Sequence, residues 1–435
     1  MIFYIIPEIR YGIGLPELSP EPMMIVTSHR HPAIIFMRNA GALIWCAEEN
    51  SEEPYYQAHQ LLELEKVQKL ITDVPESECH LLTFKITPRF EKLAALLHAK
   101  VLMPSFKLNR FWEDKNKGMD ELRKLNIPVK DAVSGMWQDF TYDNVVERFH
   151  TKSLVIQKPR GMAGSSTHFV HSQEEWNELG SALGINPLLK ISPYLIGSTY
   201  TVNALVNTAG IYSGYPMFQI IGDKRFTRYE GGTSGVDMSG GRSFSAILLQ
   251  EIKNIIEKIG KKMAEDGFFG WFGVDFIVDQ NDKVTIIEIN PRFTASVSIF
   301  SQAQHHDFQA DFWSGNLDLQ QKLPDMMRPL PFTTLILRNV GEENMSVARN
   351  FSPGIYHLDP TPGAERLILK KQTVFIKDMT NPQEYLIIAK GIDTEIHPDG
   401  EMATIVTHRS AVKNEQIDDD LGKVANLVTM ALTQK

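Results

Sequence analysis

The length, composition and charge of the chain exclude several classes of protein. It has 435 residues, 43% of them hydrophobic, and its 44 Lys and Arg against 53 Asp and Glu give a formal net charge of −9. At about 150 residues per domain this length predicts roughly three domains, each with enough apolar residues for a core, so disorder is excluded as its main character. The acidity argues against nucleic acid or an anionic membrane as the main partner, because phosphate groups select for clustered Lys and Arg.

The two cysteines, Cys46 and Cys79, are too few for a disulfide framework and fit a reducing compartment. The apolar start of the chain lacks a basic n-region and a long h-region, so it predicts a first strand rather than a secretion signal. No stretch approaches the roughly 18 apolar residues that span a bilayer. We therefore expect a cytoplasmic protein with neither a membrane nor a nucleic-acid partner, and a homodimer is left open.

From the N-terminus to about residue 110, apolar runs alternate with amphipathic segments, a pattern typical of an open α/β unit. The runs and segments are 24–27, 33–37, 42–46, the helical pattern 55–71, and strand-like 81–84 and 101–103. Between the last two, Thr87 precedes Pro88 in the way that an N-cap precedes the first residue of a helix.

The pattern changes at about residue 111 and predicts a different architecture. The predicted elements are helices at 114–125, 248–263 and 419–432 and strands at 154–158, 200–206, 217–221, 271–278 and 283–289. A Pro-rich stretch near 324–331 predicts a linker, and short β-like runs follow it. The predicted domains are 1–110, 111–195, 196–325 and 326–435.

Two carboxylates and an amide are predicted to share one face of a β-hairpin within the segment 273–292. If a four-residue turn joins the strands, Asp275 lies opposite Ile286. Period-2 alternation then places Asp275, Glu288 and Asn290 on one face, within about 7–8 Å across the diagonal. Because unneutralised carboxylates repel, Mg²⁺ with a nucleotide is the usual occupant of such a face, and a solvated hairpin is the alternative.

A second signal is Lys158 and the Gly- and Ser-rich segment 159–167 that follows it. Backbone N–H groups of glycines and hydroxyls of serines can cover the outer phosphates of a nucleotide, although an ordinary turn is the alternative. The chain contains neither G-x-G-x-x-G after a strand nor G-x-x-x-x-G-K-[ST]. Rossmann-type dinucleotide binding and a Walker-type NTPase are therefore disfavoured.

Taken in order, these motifs resemble the ATP-grasp superfamily, which includes D-alanine–D-alanine ligase, biotin carboxylase and stand-alone dipeptide ligases. The resemblance covers about residues 110–300. The matching motifs are Asp114-Lys115 before a helix ending in Asn126-Ile127-Pro128, Lys158 with Gly164-Ser165-Ser166, Tyr194-Leu195-Ile196-Gly197, and Asp275 followed 13 residues later by Glu288-x-Asn290-Pro291-Arg292. The resemblance implies mixed α/β and α+β structure, namely an ATP-grasp fold with an N-terminal open α/β domain and a β-rich C-terminal region.

The resemblance also implies roles for individual residues. ATP would be bound by Lys115, Lys158, Gly161, Gly164, Ser165, Ser166, Pro193, Leu195 and Thr199; one or two Mg²⁺ ions, with Mn²⁺ as an alternative, by Asp275, Glu288 and Asn290; and the catalytic residues would be Arg292 and Arg228. The Pro193 carbonyl and the Leu195 N–H would contact the adenine. A structural salt bridge is the alternative for Arg292, and a solvated surface loop is the alternative for the segment that follows Arg228.

The implied activity is that of an ADP-forming carboxylate–amine ligase. A carboxylate attacks the γ-phosphoryl group of ATP, and an amine then displaces phosphate from the acyl phosphate to form an amide or peptide bond. The expected substrates are small, amino acids or peptides, and the C-terminal region is expected to close the acceptor pocket. The alternatives are a carboxylase-type or carboxylate–thiol ligase, and a non-catalytic ATP-binding protein.

Overall fold

The computed structural model describes residues 1–158, 166–359, 361 and 364–434. These residues form three main β-sheets, of five, four and eleven strands, and two short two-stranded ribbons. The five-stranded sheet comes first in the chain, the four-stranded sheet second, and the eleven-stranded sheet takes most of the remainder. The expected mixed α/β fold with a β-rich C-terminal region is confirmed.

The N-terminal sheet is parallel, with the order β3-β2-β1-β4-β5. Its strands are β1 (Ile2–Ile5), β2 (Met23–Thr27), β3 (Leu43–Cys46), β4 (His80–Thr83) and β5 (Lys100–Val101), and its helices are α1 (Ala33–Asn39), α2 (Ala58–Leu62), α3 (Glu65–Thr72) and α4 (Pro88–Leu96). All four residues of β1 are buried, as a central parallel strand covered on both faces requires. The apolar run at 33–37 forms a helix, because Pro32 fixes a helical φ of −56° immediately before it.

Two helices, α5 (Phe106–Glu113) and α6 (Lys117–Lys124), lead to the second sheet. The helix predicted from residue 114 begins later because the Asp114 carboxylate accepts the N–H groups of Asn116 and Lys117, both at 3.0 Å. The second sheet is antiparallel, with the order β6-β9-β7-β8. Its elements are β6 (Val133–Met136), α7 (Tyr142–Phe149), β7 (Leu154–Gln157), β8 (Thr167–Val170), α8 (Gln173–Ala182) and β9 (Leu188–Pro193).

The third sheet begins with β10 (Ser198–Asn207), β11 (Gly210–Ser213), β12 (Met217–Ile221), β13 (Thr233–Asp237), β14 (Gly270–Val278) and β15 (Val284–Asn290), with helices α9 (Ala246–Glu265), α10 (Val297–Phe308) and α11 (Phe312–Leu317). It continues through the C-terminal region, whose elements are β16 (Thr333–Arg338), β17 (Met345–Ser346), β18 (Gly354–Asp359), β19 (Arg366–Gln372), β20 (Glu384–Ala389), β21 (Glu395–Ile396), β22 (Glu401–Thr407), β23 (Val412–Lys413), β24 (Gln416–Ile417) and α12 (Asp419–Thr433). The short pairs β17–β21 and β23–β24 form the two ribbons.

The third sheet has the order β15-β14-β10-β12-β13-β16-β22-β20-β18-β19, with β11 paired to β10. Strand β13 pairs with β16, so one sheet runs from the carboxylate hairpin into the C-terminal region across the Pro-rich stretch. Gly235 allows this pairing: its φ is +154°, and a Cβ there would lie 2.0 Å from the Thr334 carbonyl oxygen. The helices predicted at 248–263 and 419–432 are confirmed as α9 and α12.

Helix α10 connects the N-terminal domain to the third sheet. The Ser298 hydroxyl donates to the Ile13 carbonyl at 2.5 Å, and the Gln302 amide donates to the same carbonyl at 3.0 Å. Tyr4 of β1 packs against Trp313, with ring centroids 5.1 Å apart. These contacts fix α10 and α11 against the N-terminal domain. Among the residues that the structure describes, no helix is both long and apolar enough to cross a membrane.

Candidate active site

The carboxylate hairpin is formed by β14 and β15, but its register differs from the predicted one. Asp275 pairs directly with Glu288, whereas the sequence predicted Ile286 at that place. The prediction was wrong by two residues. Val278 pairs with Val284 rather than with Lys283, which shifts the register by one and pairs Phe276 with Ile286, and a bulge after Asp275 shifts it by one more. The bulge keeps Ile286 in the core and brings the two carboxylates opposite each other.

Asp275 is held by two amide side chains. It accepts a hydrogen bond from Asn290 Nδ2 at 3.0 Å and another from Gln219 Nε2, also at 3.0 Å. The pKa of Asp275 is raised to about 6, first because burial disfavours the charged form and then because Glu288 faces it. A cation bound between the two carboxylates would remove both penalties.

The three predicted metal ligands fit a hard divalent cation. Asp275, Glu288 and Asn290 present oxygen atoms from adjacent strands, which is the donor set that Mg²⁺ prefers. Asn290 Oδ1 accepts from Arg292 Nη2 at 3.0 Å, and a carbonyl oxygen has a second lone pair for an ion. The metal-binding role of these residues therefore remains a well-supported prediction.

Three lysines gather beside Glu288. Lys115 Nζ lies 3.9 Å from Glu288 Oε2, and Lys190 Nζ donates to the Lys115 carbonyl at 3.1 Å. The Lys130 N–H donates to the Ile286 carbonyl at 3.0 Å, which ties Lys130 to the hairpin. The pKa of Lys130 is lowered to about 7 and that of Lys190 to about 8, in both cases first by burial and then by the neighbouring lysines. The cluster thus carries positive charge that the protein itself does not fully neutralise.

Lys158 is not placed with these lysines. Its N–H continues the ladder to the Ser166 carbonyl at 3.1 Å, so alternation puts its side chain on the face opposite to that of Gln157. The charge of Lys158 contributes, after burial, to lowering the pKa of His168, which lies on that opposite face. Ser166 is buried, and the other predicted loop residues, Gly161, Gly164 and Ser165, lie outside the described residues.

The predicted adenine segment follows β9. The Tyr194 N–H donates to the Ser153 carbonyl at 2.8 Å, and because backbone groups alternate along an antiparallel strand, the Pro193 carbonyl points away from β7. Leu195 is half-buried beyond the end of β9, and Thr199 pairs with Ile277 on β14. Gly197 closes the turn, since its φ is +154° and a Cβ there would lie 2.5 Å from the Val278 oxygen.

Arg292 is fixed by protein groups on two sides. Its Nε lies 3.1 Å from Glu113 Oε1, and its Nη1 donates to the Phe293 carbonyl at 3.1 Å. Its guanidinium carbon lies 5.7 Å from the centre of the Phe84 ring. Glu113 also pairs with Lys85 at 2.7 Å, so the N-terminal domain orients the arginine. Both the catalytic role and the structural role considered for Arg292 are compatible with this geometry.

The predicted catalytic Arg228 lies in a loop held by the C-terminal region. Its N–H donates to Asp399 Oδ1 at 3.1 Å, and the described contacts do not join its side chain to Arg292 or to the metal ligands. Further along this loop, a Cβ on Gly231 would lie 3.4 Å from Thr167 and Phe169 of β8. The loop therefore bridges the second sheet and the C-terminal region, and the role of Arg228 stays a prediction.

The sequence motifs missed four residues that the fold places at the site. They are Lys130, Lys190, Gln219 and Arg338. Arg338 reaches the site through Thr233: its Nη2 donates to the Thr233 carbonyl at 3.4 Å, and the Thr233 hydroxyl donates to Gln219 Oε1 at 3.3 Å. The buried Nε of Arg338 has no partner among the described residues. A lysine between Leu189 and Ile191 in an otherwise apolar strand is the one signal in the sequence that pointed to any of them.

Comparison with known proteins assigns the fold. The family model described as an ATP-grasp domain matches residues 112–296. The N5-carboxyaminoimidazole synthase of Aspergillus clavatus, in complex with ADP and 5-aminoimidazole ribonucleotide, is similar over 99% of this chain and 98% of its own, with 14% identity and a TM-score of 0.60. No curated protein matches the sequence significantly.

Two further structures share the architecture. The biotin carboxylase domain of the Hydrogenobacter thermophilus 2-oxoglutarate carboxylase, in complex with MgADP, ADP and bicarbonate, is similar over 94% of this chain and 86% of its own, with 12% identity and a TM-score of 0.60. The N5-carboxyaminoimidazole synthetase of Staphylococcus aureus, complexed with ADP, is similar over 99% and 96%, with 12% identity and a TM-score of 0.58. At these identities the likeness concerns the fold.

The family match over residues 112–296 indicates an ATP-dependent enzyme. The match identifies residues 112–296 as an ATP-grasp domain, and the parallel N-terminal sheet and the two antiparallel sheets agree with it.

Proposed function

We propose that this protein is an ADP-forming ligase in which an amine attacks an acyl phosphate made from ATP and a carboxylate. The observation that supports this proposal most is the facing pair Asp275 and Glu288, with Asn290 beside them and Lys115 at 3.9 Å from Glu288. Such a site suits a phosphoryl transfer, which depends on positioning and on charge neutralisation rather than on covalent chemistry by the protein.

Each group of side chains has its own proposed role, which follows from its position. Asp275, Glu288 and Asn290 would hold Mg²⁺, which when bound neutralises the charge that develops on the transferred phosphoryl group. Lys115, whose Nζ lies 3.9 Å from Glu288 Oε2, would bind the phosphates. The Arg292 guanidinium has five N–H donors, and those left free by its protein contacts can stabilise the oxyanion that forms when the amine attacks.

The C-terminal region supports an enclosed acceptor pocket. Asp399 accepts hydrogen bonds from the Thr227 hydroxyl and the Arg228 N–H, at 3.0 and 3.1 Å, and so orients the loop that follows β12. Lys390 pairs with Glu8 of the N-terminal domain at 2.6 Å. These contacts tie the loop after β12 to the C-terminal region, and the C-terminal region to the N-terminal domain, and a pocket for a polar or anionic acceptor would lie among them.

A carboxylation is the second candidate, with bicarbonate as the carboxylate that is phosphorylated. The similarity to N5-carboxyaminoimidazole synthases and to a biotin carboxylase domain extends over at least 94% of this chain and therefore includes the C-terminal strands. In this version the acceptor amine or amide nitrogen receives a carboxyl group, and the same metal and lysine groups serve the first step. A carboxylate–thiol ligase and a non-catalytic nucleotide-binding protein have no comparable support.

The decisive experiment measures ADP and phosphate release over a matrix of carboxylates and amines. The carboxylates include amino acids, dipeptides, small organic acids and bicarbonate. Release that requires both partners supports the ligase, whereas incorporation of labelled bicarbonate without another carboxylate selects the carboxylation. Production of AMP, or tight MgATP binding without turnover under any combination, would refute the proposal. Glu288→Gln serves as the inactive control because it removes one metal-facing carboxylate.

A further inference from the structure

Lys190 is a buried cation on the face of the second sheet that points into the site. Its side chain is 6% exposed. Lys190 pairs with Ser134 on β6 and with Gln157 on β7, so these three side chains share one face. The neighbouring Leu189 and Ile191 lie on the other face, in the core that α7 and α8 cover. The pairing of β9 with β6 and β7 therefore fixes the face on which the Lys190 side chain lies.

Few protein groups neutralise the charge of the Lys190 ammonium group. Its hydrogen-bond acceptor is the Lys115 carbonyl at 3.1 Å, and within the described residues no carboxylate lies within ion-pair distance of it. Lys115 itself is nearby, and the closest interacting acid, Glu288, already faces both Lys115 and Asp275. Because a buried charge is costly unless it is paired, this cluster is arranged for an anion that the protein does not supply.

The strand register excludes Lys158 from the same face. Gln157 pairs with Thr167 and with Lys190, and Lys158, one residue further along, falls on the side of His168. Lys190 thus occupies the cleft face at the point where the sequence motif alone would place Lys158.

We propose that Lys190 is a phosphate-binding residue of this site and takes the role that the motif assigns to Lys158. This inference rests on the proposed nucleotide site. If Glu288 holds Mg²⁺, its charge is neutralised by the ion, and Lys115 and Lys190 are left to bind the phosphates. The contribution of Lys190 therefore grows with the number of phosphates and is absent for adenosine.

The test compares nucleotide binding by the full-length wild type, Lys190→Met and Lys158→Met in calorimetry with MgATP, MgADP and adenosine. We expect Lys190→Met to weaken MgATP and MgADP binding by about tenfold or more, which is the scale of one charge-assisted hydrogen bond, and to leave adenosine within about twofold. Lys158→Met should lose less than Lys190→Met. Lys152→Met, an exposed lysine before β7, is the matched control and should bind like the wild type.

A thermal melt separates a ligand-binding role from a structural one. Since Met fills nearly the same space without a charge, ligand-free Lys190→Met should be as stable as the wild type or more stable. A lower melting temperature together with weaker adenosine binding would show a structural role and overturn the inference. It is also overturned if the wild type binds MgATP and Lys190→Met binds it as tightly, or if Lys158→Met loses more. If the wild type binds no MgATP at all, the proposed nucleotide site itself fails.

Discussion

The contact between Glu113, the last residue of α5, and Arg292 yields the sharpest test of how the arginine is oriented. Glu113 lies 3.1 Å from Arg292 Nε and 2.7 Å from Lys85 Nζ, and its side chain is 23% exposed. Glu113→Gln keeps the shape but turns an amide N–H₂ towards one of the two cations. Breaking a buried pair costs about 3–5 kcal/mol, and the residual exposure places this change near 3 kcal/mol.

Two measurements check this expectation. Chemical denaturation should give the loss of about 3 kcal/mol in the free energy of unfolding, since each hydrogen bond to a charged group contributes about 1.5–3 kcal/mol. Steady-state phosphate release should show a lower kcat, because Arg292 is no longer oriented, while calorimetry should show unchanged MgATP affinity. Glu63→Gln is the matched control: its partner Arg89 is 66% exposed, and such surface pairs contribute about 0–1 kcal/mol.

The same contact predicts a pH dependence. Burial by itself raises the pKa of Glu113, but Arg292 and Lys85 outweigh it and hold the pKa below the ordinary value of 4.5. A carboxyl group with a depressed folded-state pKa stabilises the fold above pH 4.5, and this stability is lost as the pH falls through the folded-state pKa. The difference in the free energy of unfolding between the wild type and Glu113→Gln should therefore become smaller in strong acid. Equal stability of the two proteins at pH 7, or an unchanged kcat, would refute the role given to Glu113.

Three further changes test other parts of the molecule. Glu288→Gln should abolish the Mg²⁺-dependent part of nucleotide binding, and calorimetry in Mg²⁺ and in EDTA that gives equal affinities for the wild type would contradict this. Burial, followed by the charge of Lys390, lowers the pKa of His31 to about 3, so between about pH 6.5 and pH 3 the unfolded chain protonates this ring while the folded state keeps it neutral. The wild type should therefore lose stability as the pH falls through this range, and His31→Asn should lose less. Unfolding free energies measured across this pH range check the difference. Asp399→Gly should raise the KM for the acceptor with little change in MgATP affinity, because it removes the carboxylate that holds the loop after β12, and glycine tolerates the φ of 60° at this residue. Asp393→Gly, at a residue with a φ of 61°, is the matched control. Equal kinetics of the two variants would refute the role of Asp399.

The residue types of the candidate site could be predicted from local sequence. The polar residues Asp275, Glu288 and Asn290 interrupt two apolar strands, and they imply a metal-binding hairpin whatever the exact pairing. The order of the motifs indicated the superfamily, and the apolar spacing predicted α9 and α12. These features depend on residues close to one another in the chain, where alternation and helical periodicity constrain the outcome.

Tertiary structure decided what depends on pairing between distant segments. A longer turn and the bulge after Asp275 each shift the register by one residue, and together they replace the predicted diagonal pair of carboxylates with a facing one while Phe276 and Ile286 stay buried in the core. Lys190 reaches the site because β9 lies between β6 and β7, an order that no local pattern encodes. A period-2 pattern determines which residues share a face of a strand but not which elements that face contacts. The sequence therefore determined the residue types of the candidate site, and the fold determined their neighbours.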